Sequence, residues 1–241
     1  MLTLKRLLTA CMLGSALSGT AALAGDNDIN SISLTSQKEF ADFSDSVTNV
    51  FAHKTLLPGE PLGVLGFDIG IGLISSESRF KLNTQAPDSS HRVNILTVNA
   101  QKGLPGGFDI GVQYNQLMDS DASSISGELR YAILEGGVLY PSLSVGGQYT
   151  KASGMDALDY QSFGVDLGIS KGFANFTPYA NIGMVAASVD PILNTNLKEE
   201  NPTLLSVSAG LNINLFAFDV LVGYNQIGEN NNFILKAGYR F

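Results

Sequence analysis

The chain has 241 residues, only 15% of them charged, and its formal net charge is −8. This acidic balance argues against nucleic-acid binding, which requires clustered lysine and arginine. Beyond the amino terminus there is no apolar run of about 18 residues, so a membrane crossing would have to use strands. The single cysteine, Cys11, provides neither a disulfide framework nor a thiolate metal site.

Residues 1–24 have the parts of a secretory signal peptide. Two basic residues are followed by an apolar stretch from Leu7 to Leu17, and Ala22-Leu23-Ala24 provides a small-residue cleavage site. We expect cleavage after Ala24. The mature chain would then contain no cysteine, and its 12 basic and 22 acidic residues would give a formal charge of about −10.

Residues 25–60 form an N-terminal segment that contains one predicted helix, over residues 36–51. Ser36 and Glu39 have the spacing of a capping box at the start of this helix. The apolar residues recur at helical spacing, so they share one stripe of the surface. This apolar face consists of Phe40, Phe43, Val47, Val50 and Phe51.

From Leu62 onward the apolar residues alternate with a period of two, which predicts ten strands. The first is expected over Leu62–Ile74 and the last over Asn231–Phe241. Each has the roughly 9 to 13 residues that a tilted strand needs to cross the hydrocarbon layer. Because lipid tolerates no open sheet edge, the sheet must close. The predicted fold is all-β: an antiparallel transmembrane β-barrel over residues 61–241 with about 8 to 12 strands.

The connections between these strands alternate between short and long. Short turns are expected at 102–107, 135–137 and 172–175, and longer loops at 75–90 and 190–202. Outer-membrane barrels have short periplasmic turns and longer outer loops, so this alternation with an even strand count predicts that both termini are periplasmic.

The last strand ends in alternating aromatics. Phe233, Leu235, Ala237, Tyr239 and Phe241 share one face, and the final residue is aromatic. This ending resembles the C-terminal signature of Gram-negative outer-membrane β-barrels, with an aromatic at the last position and another two before it. The resemblance implies an outer-membrane location, contact with outer-membrane lipids, and recognition of Tyr239 and Phe241 by the barrel-assembly machinery.

Several charged residues fall on the polar, inward faces of the predicted strands. Closure pairs the first and last strands, so Arg240 is expected between Asp68 and Asp219. The charges could neutralise one another in a filled lumen or form a constriction that sets selectivity. No metal site or cofactor is expected, because no His, Asp or Glu set has ligand spacing. The predicted inward charges are Asp68, Asp109, Glu128, Arg130, Asp166, Asp219, Lys236 and Arg240.

These features favour a small channel, or a carrier for small or hydrophobic molecules. The helix would lie at or in the periplasmic mouth, as a cap or as a plug of the lumen; an interfacial or ligand-gating helix is the alternative. A structural surface protein without transport fits as well. An outer-membrane deacylase or acyltransferase is a further alternative, because His91 and Ser90 fall at the outer rim in a pairing that resembles such enzymes.

Overall fold

The computed structural model describes residues 34, 36–78, 91–137, 139–193 and 196–241. One helix precedes ten strands in this part of the chain. The helix, α1, spans Gln37–Phe51. The strands are β1 Phe67–Ser78, β2 His91–Leu104, β3 Phe108–Leu117, β4 Ser123–Leu134, β5 Ser142–Ser153, β6 Leu158–Ser170, β7 Phe176–Pro191, β8 Thr203–Leu215, β9 Phe218–Ile227 and β10 Asn230–Arg240.

The strands form a closed barrel in which each one pairs antiparallel with its chain neighbours and β1 pairs with β10. The closing register runs from Asp68 opposite Arg240 to Ser76 opposite Asn232. Phe241 extends the seam, since its amide and carbonyl exchange hydrogen bonds of 3.0 and 2.9 Å with Phe67. The predicted ten-stranded antiparallel barrel is therefore confirmed.

The outward face of the barrel is apolar. On β1 the side chains of Ile69, Ile71 and Leu73 are each about half exposed, while the residues between them are buried inside. Aromatic rings lie toward both ends of the outward rows, as with Phe108 and Tyr114 on β3. A closed sheet with an apolar outer band and aromatics at its edges is the architecture that a bilayer requires of strands. Among the described residues, no helix is both long and apolar enough to cross a membrane.

The two ends of the barrel differ in their connections. At one end, here called the turn end, short turns join β2 to β3, β4 to β5, β6 to β7 and β8 to β9, and β10 finishes there. Positive φ angles occur at these turns, including Gly106, Gly136 and Phe216. At the other end, the loop end, β1 connects to β2 and β7 connects to β8 through longer segments.

The first strand begins later than the sequence pattern predicts, at Phe67 instead of Leu62. Residues 62–66 instead form a turn, in which Gly63 has a φ of +75° and the Gly66 amide donates to the Gly63 carbonyl at 3.0 Å. Gly103 of β2 packs so closely on this turn that an added Cβ would collide with the Gly63 backbone. The alternation in fact breaks in this turn, where the apolar Val64 and Leu65 are adjacent, and that break is the signal that the strand begins later.

Residues 36–66 occupy the lumen, and we call them the plug. Helix α1 lies in the half near the loop end, where the Gln37 side-chain amide donates to the carbonyl of Lys198 at 2.9 Å. Residues 52–66 then run through the lumen to β1 at the turn end. The sequence predicted a helix at or in the periplasmic mouth, as a cap or as a plug of the lumen; the structure has it inside the lumen, in the half toward the loop end. The half near the loop end contains the apolar wall residues against which the apolar face of α1 packs.

Candidate functional site: a plugged lumen

The half of the lumen near the loop end is an apolar socket for α1. All five residues of the predicted apolar face are buried, with at most 4% of their surface exposed. The ring of Phe51 lies 6.0 Å from that of Tyr160. Ser44 and Thr48 on the other helix faces donate to the carbonyls four residues earlier, which satisfies their buried hydroxyls. The wall of this socket includes Ile74, Val93, Ile95, Leu117, Leu158, Val189 and Ile234.

The half near the turn end is polar, and Lys236 lies at the centre of one charged group. Its Nζ donates to both carboxylate oxygens of Asp68, at 2.6 and 2.8 Å, and to Asp219 at 3.3 Å. It also donates to the carbonyl of Leu56 on the plug, at 3.4 Å. Asn99 supplies a further donor to Asp68 at 2.9 Å. Lys236 is fully buried, so this ion pair is shielded from water and joins wall and plug.

Lys236 occupies the place that the sequence pattern assigns to Arg240. Arg240 does lie opposite Asp68 in the β1–β10 register, but Lys236 bridges Asp68 and Asp219. The reason is the pair of glycines at positions 70 and 238. An added Cβ at Gly70 would collide with the Lys236 Cε, and one at Gly238 would lie 3.0 Å from it. The glycines therefore open a path along which the lysine side chain reaches both carboxylates.

A second charged group links β3, β4 and the plug. Arg130 donates to Asp109 through Nε at 3.3 Å and Nη2 at 2.9 Å. Its third nitrogen, Nη1, donates to the carbonyl of Pro58 at 2.9 Å, and the amide of Leu62 donates to Asp109 at 3.0 Å. The planar guanidinium thus binds the wall and the plug at once, which an ammonium could not do with the same geometry.

A third group surrounds His53, which lies on the plug just after α1. Its Nε2 is 3.8 Å from Glu128 Oε2, and Asp166 also faces it. Amides of the wall already donate to both carboxylates: Gln101 to Glu128 at 2.5 Å, and Gln148 to Asp166. Burial lowers the pKa of His53 below its usual value, and the two carboxylates only partly offset that effect.

Lys54 caps the carboxyl end of α1. Its ammonium donates to the carbonyls of Asn49, Val50 and Ala52, at 2.5, 2.7 and 3.0 Å. A cation at this position satisfies carbonyls that the helix leaves free and interacts favourably with the helix dipole. Burial nevertheless lowers the pKa of Lys54 to about 7.

The structure thus brings seven of the eight predicted inward charges into three buried groups and leaves Arg240, half-buried, at the turn-end edge. The sequence analysis missed His53, Lys54 and the polar partners Asn99, Gln101 and Gln148. One available signal was the apolar interruption of the inward face at Ile74, Ile95 and Ile234, which indicates that something apolar fills the lumen there.

The residues proposed for catalysis lie elsewhere. His91 is the first residue of β2, at the loop end and opposite Ser78 in the register. Ser90 lies outside the described residues, so the Ser90–His91 pairing stays a prediction. Tyr239 and Phe241 lie on the outside of the turn end, where Phe67 stacks between them with centroid distances of 5.8 and 5.9 Å. Their role in assembly also stays a prediction. In the described ranges, no three His, Cys, Asp or Glu side chains are placed to hold a metal ion.

Comparison with known proteins gives neighbours in structure only, because no family model and no curated protein matches the chain. Ail, the attachment invasion locus protein of Yersinia pestis, is 15% identical with a TM-score of 0.36, covering 73% of this chain and 98% of that one. The KdgM porin in complex with oligogalacturonate is 9% identical with a TM-score of 0.41, covering 71% and 99%. The β domain of the Bordetella autotransporter BrkA is 10% identical with a TM-score of 0.46, covering 73% and 99%. These values assign no activity to the chain.

Proposed function

We propose that this protein is an outer-membrane channel for small solutes whose lumen its own N-terminal plug closes. The observation that carries the proposal is the way the plug is held. It fills the lumen, yet the wall closes through β1 and β10 without it. Apart from the backbone hydrogen bond from Gly103 to Gly66 beside β1, its hydrogen bonds to the wall involve side chains. A segment held mainly by such contacts can move while the barrel stays intact. The turn end would face the periplasm and the loop end the outside.

A structural surface protein is the second candidate. It is favoured by the completeness of the packing, since the α1 socket is apolar and, at the other end, buried ion pairs of the wall donate hydrogen bonds to carbonyls of the plug. In that case the plug would serve as the core of the barrel and would never leave it. A test must therefore show whether plug movement opens a path.

A reversible cross-link between plug and wall provides that test. An added Cβ at Gly59 would lie 2.8 Å from Ser144 Oγ, which brings the two positions within reach of a disulfide. The mature chain has no cysteine of its own. We expect Gly59→Cys with Ser144→Cys to be silent in a planar bilayer when oxidised and to show stepwise conductance after reduction. Ser144→Cys alone is the control and should not respond to reductant.

A form lacking residues 25–57 completes the experiment. Stepwise conductance that increases on deletion supports a plugged channel. Silence of the reduced double-cysteine protein together with silence of the deleted form would overturn the channel and leave the structural role. The enzyme alternative has its own test, because His91→Ala should leave the phospholipid and lipid A composition of the outer membrane unchanged if the protein is a channel.

A further inference from the structure

The plug contacts the two sides of the wall unequally. Toward β1, β3, β4 and β10 it is held by the Lys236 and Arg130 groups. Toward β5 to β9 it leaves two cavities. The larger, about 410 Å³, opens at the turn end and is here called the vestibule. Its lining is mainly polar and includes Glu60, Tyr140, Ser142, Ser170, Lys171 and Thr177.

The second cavity lies deeper and borders His53. Its volume of about 20 Å³ is enough for a water molecule. Polar side chains of five strands line it: Gln148, Asp166, Asn181, Ser208 and Asn225, with Ser206 beside Ser208. Gly59 of the plug lies between the two cavities, against Ser144 and Gly168 of the wall. The deeper cavity is also lined by the apolar Val165, Met184 and Val185, and only the small residues Gly59, Ser144 and Gly168 separate its polar side from the vestibule.

Within the described part of the chain, His53 has no hydrogen-bond partner. Neither ring nitrogen makes a hydrogen bond, although only 9% of the side chain is exposed. A buried polar group without a partner costs free energy, and a charged one costs more. The neutral ring is therefore the form that the seated plug tolerates best.

The charged groups that face His53 come from each element packed on it. Glu128 and Arg130 lie on β4, Asp166 on β6 and Lys54 on the plug. The two carboxylates favour a proton on the ring, while Lys54 and Arg130 oppose it, and each carboxylate already accepts a hydrogen bond from a wall amide. Burial is thus the largest influence, and it disfavours the charged ring.

We propose that His53 is a proton-binding site that loosens the plug: a proton reaching it through the vestibule favours the displaced plug, in which the charged ring is in water. The proposal rests on the plugged-channel function. Because the pKa of His53 is lower in the seated plug than in the displaced plug, the displaced plug binds more protons. The contribution of His53 to seating is therefore fully present above the ordinary histidine value of about 6.5 and is lost as the pH falls below it.

The test measures plug exposure directly, without relying on conductance. Ser44 of α1 is fully buried, so Ser44→Cys places the only thiol of the mature chain at a position that is shielded from water while the plug is seated. Its labelling by a water-soluble maleimide is followed between pH 6.5 and 5.5 in vesicles. The same measurement on Ser44→Cys with His53→Gln corrects for the pH dependence of the thiol. We expect the corrected labelling rate to rise severalfold, with tenfold per pH unit as the limit for one proton.

Glu128→Gln gives a second, independent variant. It removes a carboxylate that favours the charged ring, so the acid response should persist and extend to lower pH. A flat corrected rate, or a response that persists in His53→Gln and disappears in Glu128→Gln, would overturn the proposal. Acid-dependent labelling in a protein that never conducts would support the proton site while removing the channel function.

Discussion

The two halves of the lumen hold the plug by different physics. Near the loop end, α1 buries three phenylalanines and two valines against aliphatic wall residues, which is non-directional and scales with apolar area. Near the turn end, residues 52–66 are held by directed contacts from Lys236 and Arg130. The apolar half buries the helix, and the charged half binds backbone carbonyls of the residues that follow it. Substitutions should therefore separate the two contributions.

The largest effect is expected from Lys236→Met. It leaves Asp68 and Asp219 buried without their cation, and removing one member of a buried ion pair costs about 3–5 kcal/mol. Because both carboxylates belong to the wall, the urea midpoint of barrel unfolding in vesicles should fall. The control adds Asp68→Asn and Asp219→Asn, which should recover most of the loss. If the triple variant is no more stable than Lys236→Met, the loss comes from packing and not from unpaired charge.

A comparable change in the apolar half is Phe43→Ala. Truncation of a buried phenylalanine costs about 3–5 kcal/mol. On the proposed plugged-channel function, the loss should appear as more frequent channel opening, with little change in the unfolding of the wall. Phe43→Leu, which preserves more volume, should show a smaller change. Equal effects on opening and on wall unfolding would mean that the helix supports the barrel itself.

Arg130→Lys should weaken the attachment of the plug to the wall by an intermediate amount. A lysine keeps the charge near Asp109 but cannot donate to Pro58 in the same geometry. Hydrogen bonds to charged groups contribute about 1.5–3 kcal/mol, and about that much plug attachment should be lost. The measurement is the rate at which the cysteine of Ser44→Cys is labelled, with and without Arg130→Lys. An unchanged rate would show that the Pro58 contact does not hold the plug.

The smallest expected effect is the pH dependence of plug seating that comes from Lys54, which caps the carboxyl end of α1. The pKa of Lys54 is lowered to about 7 in the seated plug from its ordinary 10.5, so the displaced plug binds more protons between these values. Seating should therefore strengthen with rising pH in that window, by about 1 kcal/mol per pH unit. Open probability from pH 7.5 to 9 measures it, and the slope should vanish in Lys54→Met. A slope that survives this substitution belongs to another group.

The sequence predicted the wall well because a strand in a barrel obeys a local rule. The same alternation holds along β7, where Ile182 and Met184 face out and Asn181 and Val185 face in. The capping box at Ser36 and Glu39 is also present in the structure, since both of its contacts lie within one turn of helix. These features depend on neighbours in the chain, so residue order alone is enough to specify them.

The position of the plug and the partners of the charges depend on contacts between distant residues. Alternation placed Lys236 and Arg240 on the same face, but only the closed barrel shows that Gly70 and Gly238 leave room for Lys236 to reach Asp68 and Asp219. His53 reaches Glu128 and Asp166 only because α1 enters the loop-end half of the lumen. The sequence alone determined a barrel with an amphipathic helix. The tertiary structure decided how that helix closes it, because ring closure brings together side chains that no local period relates.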